Sequence, residues 1–534
     1  MEEQSVDVLI VGSGPVGSTF ARQLVEGDTG LRVLMVDLGS QLSARPGGNT
    51  KNVYQYNHDE DGLNSLSEVV RGELAPTSQP VAQPWPETLD PVSAPHVPPV
   101  RYAINGGNPE QNDWDNMPAA ASLFSVGGMG TQWTCCTPRP VGPERIRFIP
   151  GHELDELFGQ AESLLRTNQV SFSGSLRGQV VRETLGRVFD PGLPPDRPVQ
   201  MLPLACERWN DTWVQWTGPD TILGPLAELG GVPIERFTIR PETICRRLEH
   251  HGDRITAAEL EHLPSRSRYR VRPGLVVVAA NTFHTPQLLW ASGIRHHALG
   301  HYLNDQPMLF CQVVLKHELL QAIAERWNPP PVHEDPVPVP RSDPVPNVWI
   351  PASYPEHPYH CQIHRDAFPY SQLPGNLGID HRTVIELRWF TRKDIRFEDH
   401  IWFSDCNQDP YGMPQVTFHY QLSAEDRASV DGAFADMAKA ANALGGYLPG
   451  REPAVLPRGS SLHYMGTFRM GESDDGTSVT DPYSKVWGFR NLYLGGNGII
   501  PTSTACNPTM TSMALAVRAS RQILHQRAWE VAYA

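Results

Sequence analysis

The residues from Val6 to Asp37 constrain the fold more than any other stretch of the chain. Val6 to Val11 is a short apolar run, long enough for one buried parallel strand. Gly12, Gly14 and Gly17 follow as G-x-G-x-x-G, with Pro15 inside the motif, and Val16 to Val25 is an amphipathic helical run. A second apolar run, Leu31 to Val36, ends on Asp37, twenty residues past Gly17. Such glycines let backbone approach a pyrophosphate, and a helix N-terminus offers free N–H groups and a positive dipole. A carboxylate at the position of Asp37 can accept a hydrogen bond from a ribose hydroxyl. The stretch predicts a dinucleotide site without choosing between NAD and FAD.

Length and charge narrow the setting. A chain of 534 residues should bury more than one core, so at least two lobes are expected. A formal charge of −15, with no Lys/Arg cluster against it, argues against a nucleic-acid partner. No run of eighteen apolar residues and no leader pattern precede or follow the first strand, so no membrane partner and a cytoplasmic location are expected. The eight cysteines show no C-x-x-C spacing, and the adjacent Cys135 and Cys136 read as packing thiols. No metal site is expected: H-E-x-x-H and zinc spacings are absent, and His250-His251 and His296-His297 read as surface pairs.

Along the chain, residues 46–114 form a long polar, Pro-rich connection, the kind that is usually functional in a compact protein. Ser125-Val-Gly-Gly-Met-Gly-Thr-Gln-Trp-Thr is Gly-rich and open to a flat ligand. Helical spacing marks Glu153 to Leu165, Ala424 to Leu444 and Thr509 to Gln522; a helix from His284 would hold Pro286 in its first turn. Leu275-Val-Val-Val-Ala-Ala reads as a buried strand. Thr383 to Phe390 reads as a strand with Ile385, Leu387 and Trp389 on one face and Glu386 and Arg388 on the other. Residues 328–358 are Pro-dense and make an extended arm, a candidate contact for a homo-oligomer. The N-terminal unit, the strand at 275 and the C-terminal strand–loop–helix must converge on one sheet. This discontinuous layout favours a flavoprotein over a plain NAD dehydrogenase.

Three C-terminal stretches carry a specific resemblance: Ser461-Leu-His-Tyr-Met-Gly-Thr-Phe-Arg-Met-Gly, Asn491-Leu-Tyr-Leu-Gly-Gly-Asn-Gly, and Ala505-Cys-Asn-Pro-Thr-Met-Thr. Together they resemble the catalytic region of glucose–methanol–choline oxidoreductases. Thr282-Phe-His-Thr-Pro-Gln-Leu-Leu-Trp-Ala-Ser-Gly resembles that superfamily's second motif, with Asn281 where glycine is usual. Val126-Gly-Gly-Met-Gly-Thr-Gln-Trp-Thr and Gln362-Ile-His-Arg-Asp-Ala-Phe-Pro-Tyr resemble the flavin-attachment segment and substrate loop of its pyranose 2-oxidase branch. The matches run through nearly the whole chain.

The resemblance implies an α/β fold, with a Rossmann-like FAD-binding domain and an interleaved α+β substrate-binding domain. The expected division gives 1–45, 115–150, 272–312 and 455–530 to FAD, and 151–271 and 313–454, including loop 362–372, to the substrate. It implies His463 as the base for a substrate hydroxyl, with a near-neutral pKa suited to that task, and Asn507 as its hydrogen-bonding partner. FAD contacts are implied for Gly12, Gly14, Pro15, Gly17, Asp37, Gly127, Gly128, Met129, Gln132, Trp133, Thr134, Asn497, Pro508 and Thr509. Substrate contacts are implied for Gln362, Asp366, Phe368, Tyr370 and Arg388.

One departure matters. Pyranose 2-oxidases carry a histidine covalently linked to FAD where this chain has Gln132. An amide cannot form that bond, so a dissociable FAD is expected. Non-covalent FAD occurs in the related bacterial glycoside 3-oxidases, which tilts the expectation toward C3 of a glycoside or C-glycoside over C2 of free glucose. The implied reaction oxidises a secondary hydroxyl of a sugar or glycoside, with O₂, giving H₂O₂, or a quinone as acceptor. A flavin-bearing lyase and a protein using FAD structurally are the alternatives.

Overall fold

The computed structural model describes residues 2–52, 101–103, 108–209, 214–228, 236–327, 335–340, 343–363 and 379–533. Among these, two large sheets each carry seven strands. In the first, Glu2–Val11 lies centrally and pairs in parallel with Val33–Val36 on one side and Ser267–Val278 on the other. Phe237–Arg240 extends the sheet in parallel beyond Val33–Val36.

Ser267–Val278 is longer than the apolar run at 275 announces, because its far edge serves two partners. Its first half pairs antiparallel with Arg254–His262, and Val276, Val277 and Val278 pair in parallel with Leu492–Leu494. Residues 237–262, which the expected division gave to the interleaved lobe, therefore hydrogen-bond within the first sheet.

The helix Pro15–Gly27 starts on its proline, where a missing N–H costs no hydrogen bond. It buries Phe20, Ala21 and Leu24 completely. Each large apolar side chain so buried contributes about 1.5–3 kcal/mol. The C-terminal helix Thr509–Tyr533 packs on it and on Gly151–Leu165. Val11, Val36, Val278 and Leu494 end four parallel strands at one edge of the sheet, so the loops that follow them converge there. That edge is where open α/β sheets hold their ligands.

The second sheet is antiparallel, in the order Gly445–Tyr447, Met308–Leu315, Val384–Thr391, Tyr359–Ile363, Val348–Ile350, Gln200–Met201. Strand alternation sorts its side chains. Leu309, Cys311, Val313, Ile363, Ile385, Leu387 and Trp389 belong to the core shared with helices Leu176–Phe189, His317–Arg326 and Ala424–Leu444. The opposite face carries Gln312, His360, Gln362, Glu386 and Arg388. Both faces are sealed: Val384–Thr391 is buried along its whole length.

A cluster on the helix side uses its polar groups internally. Asp436 Oδ2 accepts from His357 Nε2 and Trp389 Nε1, both at 2.9 Å, with Cys361 beside them.

The helix expected from His284 spans Asn281–Ala291, so Pro286 is interior and not in the first turn. A proline there leaves the carbonyl four residues earlier without its helical donor. That carbonyl, Thr282 O, accepts instead from Thr467 Oγ1 at 2.5 Å, while Thr282 Oγ1 donates to Tyr464 O. Asn281 takes the left-handed conformation (φ +67°) and its Oδ1 accepts from the Phe283 and His284 backbones. Asparagine does the work of the usual glycine by capping its own helix.

Candidate active site

One cavity runs along the strand ends, lined from the dinucleotide motif (Gly12, Gly14, Pro15, Asp37) to His463 and Asn507. At its first end, Gly12 has φ +101° and an added Cβ would stand 2.4 Å from Ala279 O. A Cβ on Gly17 would stand 2.0 Å from Gly12 O, so this glycine packs helix on loop and does not line the cavity. Asp37 Oδ2 accepts from Ser13 N at 2.9 Å and Ser13 Oγ at 2.6 Å, and its Oδ1 accepts from Gly39 N at 2.8 Å. Burial raises the Asp37 pKa against these hydrogen bonds.

Ser13 Oγ also accepts from Gly127 N at 2.8 Å, which ties the Gly-rich segment to the first motif. Gly128, Met129, Trp133 and Thr134 line the cavity, whereas Gly127 supports it from behind. Trp133 is fixed by Nε1 donating to Thr217 O at 2.8 Å. Gln132 is buried, and its Nε2 has no hydrogen-bond partner among the described residues. Gln132 does not itself line the cavity; it lies beside Trp133 and Thr134, which do.

At the far end, Asn497 and Thr509 line the wall; Pro508 does not. Asn497 Oδ1 accepts from Ser512 Oγ at 2.8 Å, locking the loop after Leu492–Leu494 to the final helix. The chemistry of His463 is set by Gln306. Gln306 Nε2 donates to Thr504 O and Cys506 O, each at 2.8 Å, so its Oε1 must face His463 Nδ1, 2.7 Å away. Nδ1 is therefore the protonated nitrogen and Nε2 carries the lone pair. Asn507 Nδ2 lies 3.0 Å from that Nε2. Burial in the surrounding shell pushes the His463 pKa down to about 3, below the near-neutral value expected, although the ring borders the cavity.

The second sheet reaches this pair through Gln362, whose amide contacts Asn507 Oδ1 at 2.8 Å. Gln362 and Arg388 face one another in register but do not line the cavity. Arg388 pairs with Glu386 at 2.9 Å, both buried. Asp366, Phe368 and Tyr370 lie outside the described residues. Sequence reasoning missed Ser13, Gln306 and His360. Ser13 sits inside the glycine motif at a position marked x, His360 lies two residues before the quoted loop that starts at Gln362, and Gln306 lies outside every quoted motif. Tyr411 and Met413, on the loop joining strands His400–Gln408 and Pro414–His419, also close the Asp37 end of the cavity.

Residues 229–308 and 401–516 match the family models described as GMC oxidoreductase. The chain is 36% identical to the pyranose 2-oxidase of Tricholoma matsutake, over 97% of this chain and 93% of that one. It is 37% identical to the C-glycoside 3-oxidase of Microbacterium trichothecenolyticum, over 97% and 96%. The solved structure of pyridoxine 4-oxidase from Mesorbium loti superposes with a TM-score of 0.62 at 16% identity, covering 97% of this chain and 99% of that one, a likeness of fold.

Proposed function

This chain belongs to the glucose–methanol–choline oxidoreductase family, and on that premise we propose that it oxidises a secondary hydroxyl of a pyranose sugar or glycoside. FAD is its cofactor and, when bound, supplies the hydride acceptor. The residues present fit it: Gly14 and Gly128 line the cavity with bare backbone where a side chain would intrude, and Asp37 lines it beside the glycine motif, at the ribose end.

The observation that carries the reading is the pairing of His463 and Asn507 on the cavity wall, 3.0 Å apart, with the His463 lone pair on Nε2. A substrate hydroxyl entering there donates its proton to Nε2 and accepts from Asn507 Nδ2. As that proton transfers, the C–O bond gains double-bond character and the carbon releases its hydride. Gln306 holds the ring in the tautomer that can take the proton. Gln362 holds the Asn507 amide. Asp366, Phe368 and Tyr370 are proposed to recognise the sugar, Arg388 being buried in its pair with Glu386 away from the cavity, and Thr134 to stand near the reactive part of the cofactor.

We favour C3 of a glycoside, C-glycosides included, with O₂ reoxidation giving H₂O₂ and FAD held without a covalent bond. Two features support this: Gln132 at the linkage position, and the similarity to C-glycoside 3-oxidases over nearly the whole chain. C2 of free glucose, and a quinone acceptor, are the competing outcomes. Anaerobic mixing with glucose and with an aryl C-glycoside should bleach the flavin band faster for the glycoside. NMR of the aerobic product should then place the ketone at C3. A ketone at C2, or bleaching by glucose alone, would reverse that preference.

A further inference from the structure

The polar face of the second sheet continues the hydrogen-bond chain beyond Gln362. Trp349 Nε1 donates to His360 Nδ1 at 2.8 Å, and His360 Nε2 lies 2.8 Å from the Gln362 amide nitrogen, which also contacts Asn507. All four residues are buried, His360 completely. An indole can only donate, so His360 Nδ1 is bare and its Nε2 carries the ring proton. That proton points at the same Gln362 atom that contacts Asn507 Oδ1.

The two ends of the chain therefore impose requirements that meet at Gln362. From the Trp349 end, the shared Gln362 atom must be an acceptor. From the Gln306 end, a neutral His463 accepts from Asn507 Nδ2, so Asn507 Oδ1 needs a donor from Gln362. While His463 is neutral, one contact is mismatched. It is donor against donor at His360–Gln362, or, if both amides turn over, acceptor against acceptor at Asn507–His463. A second proton on His463 removes the conflict. With both amides turned, His360 and Asn507 both donate to Gln362 Oε1, and His463 donates to Asn507 Oδ1 and Gln306 Oε1.

We propose that His360 is a positioning residue that raises the proton affinity of His463 in the substrate-free enzyme, through the amides of Gln362 and Asn507. This opposes the burial that draws the His463 pKa down. Its consequence for turnover rests on His463 being the base. Other titratable groups are close. Asp305 accepts from the His463 backbone and is pushed up to about 7 by burial, and Glu386 and Arg388 share the sheet face with His360. The ring must therefore be read directly.

The test is an NMR titration of ring-¹³C-histidine holoenzyme without substrate, with the His463 signal identified by its loss in His463→Ala. In His360→Phe the mismatch disappears and the His463 midpoint should fall by about one pH unit, the equivalent of about 1.4 kcal/mol. His360→Gln, which can accept from Trp349 and donate to Gln362, should keep the wild-type midpoint. Trp349→Phe frees His360 to change tautomer and should also lower it, so the test stands if His360→Phe fails to fold. The proposal is overturned if the midpoint is unmoved in the folded Phe variants or if His360→Gln falls as far as His360→Phe. A wild-type ring that stays neutral down to acid unfolding also overturns it. Loss of sugar oxidation with these shifts intact would instead sink the functional reading.

Discussion

The role proposed for His463 depends on another residue having settled which nitrogen holds its proton. Gln306, clamped by two carbonyls at 2.8 Å, leaves His463 Nδ1 no choice but to donate. The resulting lone pair at Nε2 faces Asn507 at the cavity. His463→Ala should keep bound FAD, read from its absorbance, yet slow anaerobic reduction by sugar more than ~10²-fold, the usual scale for a general base. A smaller loss would move the base elsewhere. Gln306→Met should keep the fold and slow the same step by about tenfold or more, since the ring is then free to hold its proton on Nε2. A variant as fast as wild type would remove Gln306 from the argument. Of these residues, His463 and Asn507 were legible through their motifs. Gln306 was not, because its role is a distance to a ring 157 positions away and leaves no local pattern.

The helix Asn281–Ala291 carries an interior proline and still ends nowhere near it. Its cost is offset by Thr467, from the same motif as His463, which donates to the freed Thr282 carbonyl. One element is thus stitched to the segment that carries His463 by the repair of its own defect. Thr467→Val keeps the shape and removes the donor. It should lower unfolding free energy in urea by about 1–3 kcal/mol, the cost of a buried unpaired carbonyl. An unchanged midpoint would mean another group takes over that carbonyl. Helix existence was readable here from spacing, but its start was not. The signal at Asn281 is a capping side chain in a left-handed residue, which a proline three residues beyond His284's neighbour Phe283 obscures.

Across the whole molecule, four parallel strands end at one edge of a sheet assembled from residues near 10, 35, 277 and 493. A second sheet delivers Gln362 to the same place. On the proposed reading, with Gln132 in place of the linking histidine, contacts spread over these distant segments hold the cofactor. Acid precipitation should release all the FAD into the supernatant, measured by its absorbance; yellow colour left in the pellet would show a covalent bond at another residue.

The chain by itself determined the local devices: a strand, a glycine turn, a helix N-terminus and an acid form a dinucleotide cradle within some thirty residues, because each depends on neighbours in sequence. It also displayed His463 and Asn507 in recognisable surroundings. Only the tertiary structure decided which nitrogen of His463 is bare, which carbonyl Thr467 satisfies, and that His360 stands behind Gln362. Those depend on hydrogen bonds between segments far apart in the chain. Their direction is fixed by groups at both ends of a network that no single stretch contains.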